Sequence, residues 1–520
     1  CSFTGLNYGV YFGINGSKTY NASIIGSTFT SCLNGIVNLG RASVFINDNR
    51  FEMDDDIPTQ SPAPQVGIYL YSSILGQTIE QNAFVRSNEY SRYSIGVLAG
   101  YTGSYYNRIN ENTFTGLDMG TETYGKNGEL IEKYVSGLTY TCNEFADITD
   151  YDFYIKYPNN GLYGMNPIQS NPGLLVTTPY HYGAQNIFSY SGFDMNRHDF
   201  DNKNVDKPIK YYFKTESGTR YEPYFFTPVG VEKIEINQTK ACPTSSFFNK
   251  SYSELSNEIN TAKYELDLIG IALESETDSL IIDSLQKNAA YYSFVLQTSG
   301  ADLIEVLDSN QAPLDTIIHW LDRIDLLGAD LMIAERLADA GLITDAKDKL
   351  DDILIGYDLT TEEEDDILEL KDIYDLPEYN NPDSISSINI NGLRSLIFHG
   401  PLTSGVARTI LGIKGEFYDL PYFFVGDTIL PRKSKVENNY KDIKLYPNPT
   451  SGVVTLIVEK ENEHSTIWIY DMFGNQLLRQ KLNIGKNLIN IDKSNTGIVI
   501  YNIFNEQGKM IKSGKLITIK

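Results

Sequence analysis

Ile79-Glu80-Gln81-Asn82-Ala83-Phe84 is one copy of an element, apolar-x-x-Asn-x-Phe, that recurs through the first part of the chain. The recurring residues are Asn49 and Phe51, Asn82 and Phe84, Asn112 and Phe114, and Asn143 and Phe145, with a weaker copy at Ser27 and Phe29. The spacing is 22 residues from Phe29 to Phe51 and 33 residues from Phe51 to Phe84. Constant side chains at unequal spacing are typical of stacked repeats, because each repeat contacts only its neighbours and extra residues can bulge out at a corner.

A second short strand, which begins with glycine, lies between the copies. Its copies begin at Gly9, Gly35, Gly67 and Gly96. The two alternating elements resemble the right-handed parallel β-helix of pectin lyases and many surface proteins. We therefore expect such a β-helix, truncated at its N-terminus and closed by a C-terminal cap, over residues 1–245. At the bend between two strands we predict that each inward Asn hydrogen-bonds to backbone groups and to the next Asn, while the Phe rings stack in the core. A row of sugar-binding amides is the alternative interpretation.

The end of the chain carries short β-branched runs separated by turn residues, which predict a small antiparallel β-sandwich over residues 442–520. It opens with Leu445-Tyr446-Pro447-Asn448-Pro449-Thr450-Ser451-Gly452 and continues through Ile469-Tyr470-Asp471-Met472-Phe473-Gly474-Asn475. This pattern resembles the type A C-terminal sorting domain of type IX secretion cargo in the Bacteroidetes.

The resemblance implies that the type IX secretion machinery is a partner and that the protein is secreted or held at the outer cell surface. A further structural β-module is the alternative interpretation of this segment. The resemblance assigns the sorting signal to Tyr446, Pro447, Asn448, Pro449, Gly452, Tyr470, Asp471, Gly474 and Lys520.

The middle of the chain, residues 250–413, changes to helical periodicity and predicts an α-helical hairpin stack. Thr361 and Glu364 have the spacing of a capping box at a helix start. The series Ala334, Leu337, Gly341, Ala346 and Leu350 resembles one tetratricopeptide-type hairpin. Such stacks bind peptides or partner proteins, and a spacer without a ligand is the alternative. Residues 414–441 are predicted to be a linker.

The charge distribution excludes some partners. The formal net charge is -25, and residues 251–380 hold 31 Asp and Glu against 7 Lys and Arg. Such a surface repels nucleic acid and favours cations or basic partners. A solvated acidic surface that keeps an exported protein soluble is the alternative, and we favour it. No apolar run is long enough for a transmembrane helix.

Four cysteines, Cys1, Cys32, Cys142 and Cys242, suit an oxidising compartment. Three pairings are open, and we favour Cys1 with Cys32 because both lie near equivalent points of successive repeats. Because export requires a signal peptide and none precedes Cys1, we expect that the chain begins inside a longer protein. A lipidated N-terminal cysteine is the alternative.

Catalysis on a coil of this kind requires carboxylates that converge from adjacent rungs. The candidate acids are Asp54, Asp55, Asp56, Asp118, Asp147, Asp150 and Asp152. They fall at different offsets from each Phe, which disfavours a shared face. Asp54, Asp55 and Asp56 are candidate ligands for Ca²⁺, with a solvated corner as the alternative, and no other cofactor is predicted. His198 between Arg197 and Asp199 has no partner motif.

The sequence therefore favours adhesion over enzyme activity, with a polysaccharide or another cell surface as ligand. A polysaccharide lyase or glycoside hydrolase on the coil is the alternative function, and a structural stalk is the second alternative. Tyrosine-rich clusters around residues 90–93, 101–106 and 211–225 are candidates for stacking on sugar rings.

Overall fold

The structure is a computed structural model, and its described residues form two compact units, Cys1–Asp427 and Thr428–Lys520. The described residues are 1–12, 22–39, 44–53, 63–71, 76–86, 92–103, 105, 107–131, 134–156, 163–175, 178–189, 198–242, 250–357, 359–376, 379, 386–397, 399–416, 445–446, 450, 452–458, 465–470, 476–491, 497–504 and 510–518. Among these residues, no helix combines the length and the apolar composition that crossing a bilayer requires.

Parallel strands in three sheets build the first part of the first unit. Sheet 1 contains β1 (Ser2–Thr4), β4 (Thr28–Thr30), β7 (Arg50–Glu52), β10 (Ala83–Val85), β13 (Thr113–Thr115) and β17 (Glu144–Ala146). Sheet 2 contains β2 (Tyr8–Phe12), β5 (Asn34–Leu39), β8 (Gln65–Tyr71), β11 (Ser94–Gly100), β14 (Met119–Tyr124), β18 (Tyr151–Ile155) and β22 (His198–Asn202). Sheet 3 contains β3 (Ala22–Ile25), β6 (Val44–Asn47), β9 (Thr78–Glu80), β12 (Asn107–Asn110) and β16 (Tyr134–Thr141), with β15 (Gly128–Ile131) antiparallel to β16.

The chain enters the three sheets in rotation, and each strand pairs with its counterpart in the next repeat. The register of sheet 1 is set by phenylalanines, since Phe3 pairs with Phe29 and Phe84 pairs with Phe114. Neighbouring Phe rings stack face to face along this sheet, with 4.8 Å between the ring centroids of Phe84 and Phe114. The Phe column therefore forms a continuous apolar core between the sheets.

Glycines of sheet 2 lie against this Phe column. A Cβ atom on Gly67 would lie 2.5 Å from Cδ1 of Phe84, and one on Gly96 would lie 2.5 Å from Cδ1 of Phe114. Gly120 holds the same position against Phe145. No larger residue fits, because real Cβ atoms do not approach other atoms so closely. The repeated glycine thus makes room for the phenylalanine ring of the same repeat.

Shorter strands continue beyond the third sheet. They are β19 (Ile168–Gln169), β23 (Ile209–Phe213) and β24 (Val231–Glu235), which are parallel, and β20 (Asn171–Leu175) and β21 (Thr178–Tyr182), which are antiparallel. One disulfide, Cys142–Cys242, ties the end of this region to the repeats across 100 residues of sequence.

The favoured pairing of Cys1 with Cys32 is wrong, because both cysteines are free thiols. The two residues are not at equivalent points of their repeats. The backbone carbonyl of Cys1 accepts a hydrogen bond from the amide of Thr28, just before β4, whereas Cys32 follows β4. The two residues therefore lie at opposite ends of the paired strands.

A helical stack follows the strands in the first unit. Its helices are α1 (Tyr252–Ser275), α2 (Ser279–Ser309), α3 (Leu314–Ile324), α4 (Leu327–Asp339), α5 (Ile343–Gly356), α6 (Thr361–Tyr374), α7 (Ser387–Leu396) and α8 (Pro401–Ile413). The capping box of α6 consists of Thr360 and Glu363, so the predicted pair Thr361 and Glu364 is wrong by one residue. The repeated Thr360-Thr361 and Glu363-Glu364 pairs fit the motif in two registers, and the extended backbone of Thr360 selects the first.

The helices pack against the strands of the first unit. Helix α2 lies on β16, where the Val135 amide donates to Oγ of Ser293 over 3.3 Å. Helix α8 contacts β5 of sheet 2, and Oγ of Ser404 lies 3.4 Å from the Tyr71 hydroxyl. The outward side chains of sheet 2, such as Tyr69, are consequently buried.

The described residues of the second unit form two antiparallel sheets. One contains β25 (Leu445–Tyr446), β26 (Val453–Val458) and β29 (Gly485–Asn490), and the other contains β27 (Thr466–Tyr470), β28 (Gln476–Lys481), β30 (Gly497–Phe504) and β31 (Met510–Thr518). Side chains of both sheets share one core, in which Val454 and Ile489 of the first sheet meet Ile469 and Ile503 of the second.

Candidate functional site

The asparagines of the repeats form a buried hydrogen-bonded column. Nδ2 of Asn82 donates to Oδ1 of Asn112 over 3.0 Å, and Nδ2 of Asn112 donates to Oδ1 of Asn143 over 3.0 Å. Each Oδ1 also accepts the backbone amide of the preceding Asn. Asn49 begins the described column, and all of these amides are buried, so they are occupied by the fold and do not face a ligand.

The column continues to a residue that the sequence motif missed. Oδ1 of Asn186 accepts hydrogen bonds from the amide and Nδ2 of Asn143. Asn186-Ile187-Phe188 has the Asn-x-Phe spacing, but Gly183 stands where the motif has an apolar side chain. The separation of 43 positions from Asn143 to Asn186 is also longer than the spacing between the other copies, which obscured this one. The region after Tyr151 thus keeps the asparagine of the repeat.

Asp118 is a buried structural acid. Its carboxylate accepts from both terminal nitrogens of Arg86, at 2.5 and 3.0 Å, and from the amide and hydroxyl of Ser94, at 2.9 and 3.1 Å. Oγ1 of Thr149 donates to the same carboxylate over 3.1 Å. A buried carboxylate requires such compensation of its charge. The same partners hold the turn between sheets 1 and 2.

Asp150 lies near Asp118, since its amide donates to the Asp118 carbonyl over 2.9 Å and both carboxylates act on Tyr93, but Asp152 has separate partners. The Asp152 carboxylate is buried and accepts from the amide and hydroxyl of Ser189, at 2.9 and 2.7 Å. Asp147 is exposed and has a positive φ of 53°, whereas Asp150 is half-buried. The candidate calcium ligands Asp54, Asp55 and Asp56 lie outside the described residues. Within the described ranges, no group of three or more His, Cys, Asp or Glu side chains is arranged to hold a metal ion.

Tyr90 and Tyr106 lie outside the described residues, and most of the described tyrosines of the predicted clusters are covered. Tyr105, Tyr211 and Tyr212 are buried, and Tyr93 and Tyr101 are half-buried. Burial raises the pKa of the Tyr93 hydroxyl well above its usual range, and the carboxylates of Asp150 and Asp118 raise it further. Tyr105, Tyr211 and Tyr212 therefore pack inside the protein, and Tyr93 and Tyr101 are partly covered.

One aromatic segment, residues 220–226, is different, and we call it the aromatic loop. Tyr224 is 71% exposed at its tip, whereas Tyr221, Phe225 and Phe226 are half-buried. The guanidinium of Arg220 lies 5.7 Å from the centroid of the Tyr224 ring. The loop thus presents a large aromatic side chain to solvent beside a cation.

Two buried carboxylates on β22 fix the backbone of this loop. Asp199 accepts from the backbone amides of Tyr224 and Phe225, at 2.6 and 3.0 Å, and forms an ion pair with Arg220. Asp201 accepts from the hydroxyl of Thr227 directly after the loop. The sequence marks Asp199 only as the neighbour of His198. Both residues lie in β22, and the His198 ring stacks on Tyr151. Sequence spacing could not reveal the pairing of Asp199 with residues 21 or more positions away.

The sorting-signal residues lie in the second unit, and only some of them are described. Tyr446 is in β25, Gly452 lies directly before β26, and Tyr470 ends β27. Gly452 has a positive φ of 114°, a conformation that glycine adopts without strain. The remaining predicted positions, Pro447, Asn448, Pro449, Asp471, Gly474 and Lys520, lie outside the described residues.

Comparison with known families identifies this second unit. Residues 444–519 match the family described as "Secretion system C-terminal sorting domain". No curated protein and no solved structure matches the chain significantly. The match confirms the predicted location and identifies the tail that the type IX machinery recognises. The protein is a type IX secretion cargo that carries a C-terminal sorting domain and is delivered to the cell surface or to the outside of the cell.

Proposed function

We propose that the protein is an exported adhesion protein in which a right-handed parallel β-helix, residues 1–245, binds polysaccharide through the aromatic loop. The β-helix proposal is supported by the rotation of consecutive strands through three parallel sheets. The unbroken columns of Asn82, Asn112 and Asn143 and of their phenylalanines support it as well. We assign the right hand because parallel strand crossovers are right-handed in nearly all proteins.

In this proposal the other regions serve display and export. Residues 250–413 form the helical stack of tetratricopeptide-like hairpins, residues 414–441 are a linker, and residues 442–520 are the sorting sandwich. The machinery would recognise the sorting signal that begins at Tyr446 and ends at Lys520.

The observation that carries the binding proposal is the exposed ring of Tyr224 on a fixed backbone. Tyr224 is 71% exposed, yet its backbone amide is held by the carboxylate of Asp199 at 2.6 Å. Because the backbone of the loop is already fixed, the loop loses less conformational entropy when a ligand binds. An aromatic face is apolar and flat, so the C–H face of a pyranose ring can stack on it.

The charged side chains of the loop favour a ligand with many hydrogen-bonding groups. Nζ of Lys233 lies 4.4 Å from the centroid of the Phe226 ring and 2.5 Å from a carboxylate oxygen of Glu222. Charged groups and aromatic rings thus lie together in the loop and beside it on β24, and a sugar offers both hydroxyl groups and a ring face to such a surface.

The test is binding of the full chain to a panel of immobilised neutral and uronate-containing polysaccharides, for the wild type and Tyr224→Ala. The matched control is Tyr264→Ala, because Tyr264 on α1 is also highly exposed, at 60%, and is far from the loop in sequence. We expect Tyr224→Ala to weaken retention about tenfold, since an exposed stacking ring contributes on the order of 1–2 kcal/mol.

Retention that is equal for the wild type and Tyr224→Ala would refute the aromatic loop as the binding site. The same samples are assayed for reducing ends and for unsaturated products. Release of either by the wild type would contradict adhesion and favour the lyase or hydrolase alternative. Retention of no polysaccharide in the panel would favour the structural stalk.

A further inference from the structure

Helix α1 carries two apolar faces. One face is buried against its neighbours and contains Leu255, Ile259, Ala262, Leu266 and Ile269. The opposite face contains Tyr264, Leu268 and Ile271, which are 60%, 45% and 66% exposed. A surface helix ordinarily has one apolar stripe toward the core and polar residues on the other side. The packing of the described residues therefore leaves this second apolar face about half exposed or more.

The three exposed residues of α1 share one side of the helix, and two exposed residues of α2 lie at the same end of the hairpin. Tyr264, Leu268 and Ile271 follow the i, i+4, i+7 spacing, which places them on one side of a helix. Leu280 and Ile281, which are 80% and 47% exposed, lie in the first turn of α2. Because α1 ends at Ser275 and α2 begins at Ser279, these two residues lie at the same end of the hairpin as Ile271. We call these five residues the outer stripe.

Carboxylates surround the outer stripe. The 100° rotation per residue of an α-helix places Asp267 and Glu274 on one side of the stripe and Glu265 on the other. Glu276 and Asp278 lie in the turn between the two helices. The single base of α1, Lys263, lies closest to Asp325: its Nζ lies 2.5 Å from a carboxylate oxygen of Asp325 and 3.2 Å from the Tyr134 hydroxyl. The same Nζ lies 3.9 Å from a carboxylate oxygen of Asp267, so the charge of this flanking carboxylate is partly compensated.

We propose that the outer stripe is a docking surface for a basic amphipathic helix of a partner protein. The apolar side chains of such a helix would cover Tyr264, Leu268 and Ile271, and its Lys and Arg would pair with the flanking carboxylates. A second copy of the chain would bring the same acidic border to the interface, and like charges oppose that contact. An anionic membrane is disfavoured for the same reason.

The test uses the full chain and two fluorescent peptides of about 18 residues, which have leucines at i, i+3, i+4 and i+7 and either Lys or Glu elsewhere. Fluorescence anisotropy measures the affinity of each peptide for the wild type, Leu268→Glu/Ile271→Glu and Asp267→Asn/Glu274→Gln. The matched control is Leu368→Glu/Ile355→Glu, because these residues are exposed helical Leu and Ile, at 48% and 87%, on α6 and α5.

We expect the Lys peptide, but not the Glu peptide, to bind the wild type. Leu268→Glu/Ile271→Glu should weaken binding at least about tenfold, since two apolar contacts are lost. Asp267→Asn/Glu274→Gln should weaken it a few-fold and reduce its dependence on salt. The control pair of substitutions should leave the affinity unchanged, and circular dichroism should show equal helix content in all variants.

The proposal is overturned if the Lys peptide binds all variants equally, because the overall negative charge would then explain binding. It is also overturned if the Glu peptide binds as well as the Lys peptide. Concentration-dependent self-association that Leu268→Glu/Ile271→Glu abolishes would identify a second copy as the occupant instead. Stripe-dependent binding to phosphatidylcholine vesicles would identify a lipid surface. Neither of these outcomes depends on polysaccharide binding by the aromatic loop.

Discussion

At the residue scale, the tightest constraint is the contact between each repeat glycine and a phenylalanine ring. A Cβ on Gly96 would lie 2.5 Å from Cδ1 of Phe114 and 2.7 Å from the carbonyl oxygen of Gly120. Neither neighbour can move easily, because Phe114 is stacked between Phe84 and Phe145. Even a small increase in side-chain size in such a core therefore destabilises the native state.

We predict that Gly96→Ala lowers the free energy of unfolding by about 1–3 kcal/mol, as overpacking of a core does. Gly392→Ala is the control, since Gly392 lies in α7 and no atom lies within 4 Å of its added Cβ. The control should be neutral or stabilising by up to about 1 kcal/mol. Denaturant titration of the two variants measures both values. A Gly96→Ala protein as stable as the wild type would contradict the packing described for this glycine.

His181 is a second residue whose environment makes a measurable prediction. Nδ1 of His181 lies 2.8 Å from Oγ of Ser170, and Nε2 lies 2.8 Å from the carbonyl oxygen of Lys287 on α2. Burial lowers the pKa of His181 from 6.5 to about 4, and the nearby charges of Lys287, Lys210 and Asp283 act in both directions. The ring thus joins the strands to α2 in its neutral form.

The sign of the pH effect follows from this lowered pKa. The native state binds fewer protons at His181 than the unfolded state between pH 6.5 and pH 4, so acidification destabilises the native state. The full effect of this group is about 3 kcal/mol. Asp302 and Glu305, whose pKa values burial raises to about 6 and 7, act in the opposite direction. The contribution of His181 is therefore measured as the difference in stability between the wild type and a His181 variant at each pH.

We predict that the stability difference between the wild type and His181→Asn shrinks as the pH falls from 7 to 4.5, because acidification removes the contribution of the neutral ring. His319→Asn, at an exposed position on α3, is the control for the loss of an imidazole elsewhere in the protein. Chemical denaturation at a series of pH values gives the three curves. A wild-type advantage over His181→Asn that is independent of pH would show that the ring does not titrate between the two states.

At the scale of secondary-structure elements, one carboxylate determines how α8 begins. Oδ2 and Oδ1 of Asp366 on α6 accept from the amides of Leu402 and Thr403, at 2.7 and 2.8 Å. These amides belong to the first turn of α8 and have no partner within the helix. Burial raises the pKa of Asp366 to about 6, although the hydrogen bonds from Thr403 and Leu402 oppose the shift. Asp366 therefore links α6 to the helix that covers sheet 2.

We predict that Asp366→Ala lowers the free energy of unfolding by about 1–2 kcal/mol, the usual cost of losing an N-terminal cap. Amide hydrogen exchange should accelerate in residues 401–413 and in the outward residues of sheet 2. Asp365→Ala, one position earlier on the exposed side of α6, should change neither quantity. Unchanged exchange in α8 of Asp366→Ala would argue against this cap.

The disulfide also links distant elements of the first unit. Cys142–Cys242 closes a loop of 100 residues, and long loops gain most from a cross-link. We predict that Cys142→Ser/Cys242→Ser loses about 3–5 kcal/mol of stability. Cys1→Ser is the control because Cys1 is an exposed free thiol. If the double variant and Cys1→Ser unfold at the same denaturant concentration, the disulfide does not stabilise the native state.

At the scale of the whole molecule, part of the fold could be predicted because some residues repeat visibly. Asn82 and Phe84 recur with their strands, since the core of stacked repeats requires the same side chain at the same position. Asn186 escaped notice because a long insertion precedes it and Gly183 replaces the apolar residue. The pattern did not predict Gly120 as a copy of the repeated glycine, because its strand, Met119–Tyr124, has no apolar run after the glycine.

The packing of the helices on the strands could not be predicted from periodicity, because contacts between distant segments leave no regular pattern. One signal was available, since Val37, Tyr69 and Leu98 are apolar at outward positions of strands that are also apolar inward. Strands that are apolar on both faces are normally covered on both faces. The sequence predicted the aromatic cluster around residues 211–225, but not the fixing of its backbone, because Asp199 reaches the aromatic loop across the fold.

Export is the property on which the account of the whole molecule depends, and removal of residues 442–520 tests it most directly. The full-length and shortened proteins are expressed in a bacterium that has a type IX secretion system, and each is quantified in the medium, on the cell surface and inside the cell envelope. The account predicts that the shortened protein is folded but retained inside the envelope, whereas the full-length protein is found outside. An equal amount of shortened and full-length protein outside the cell would contradict it.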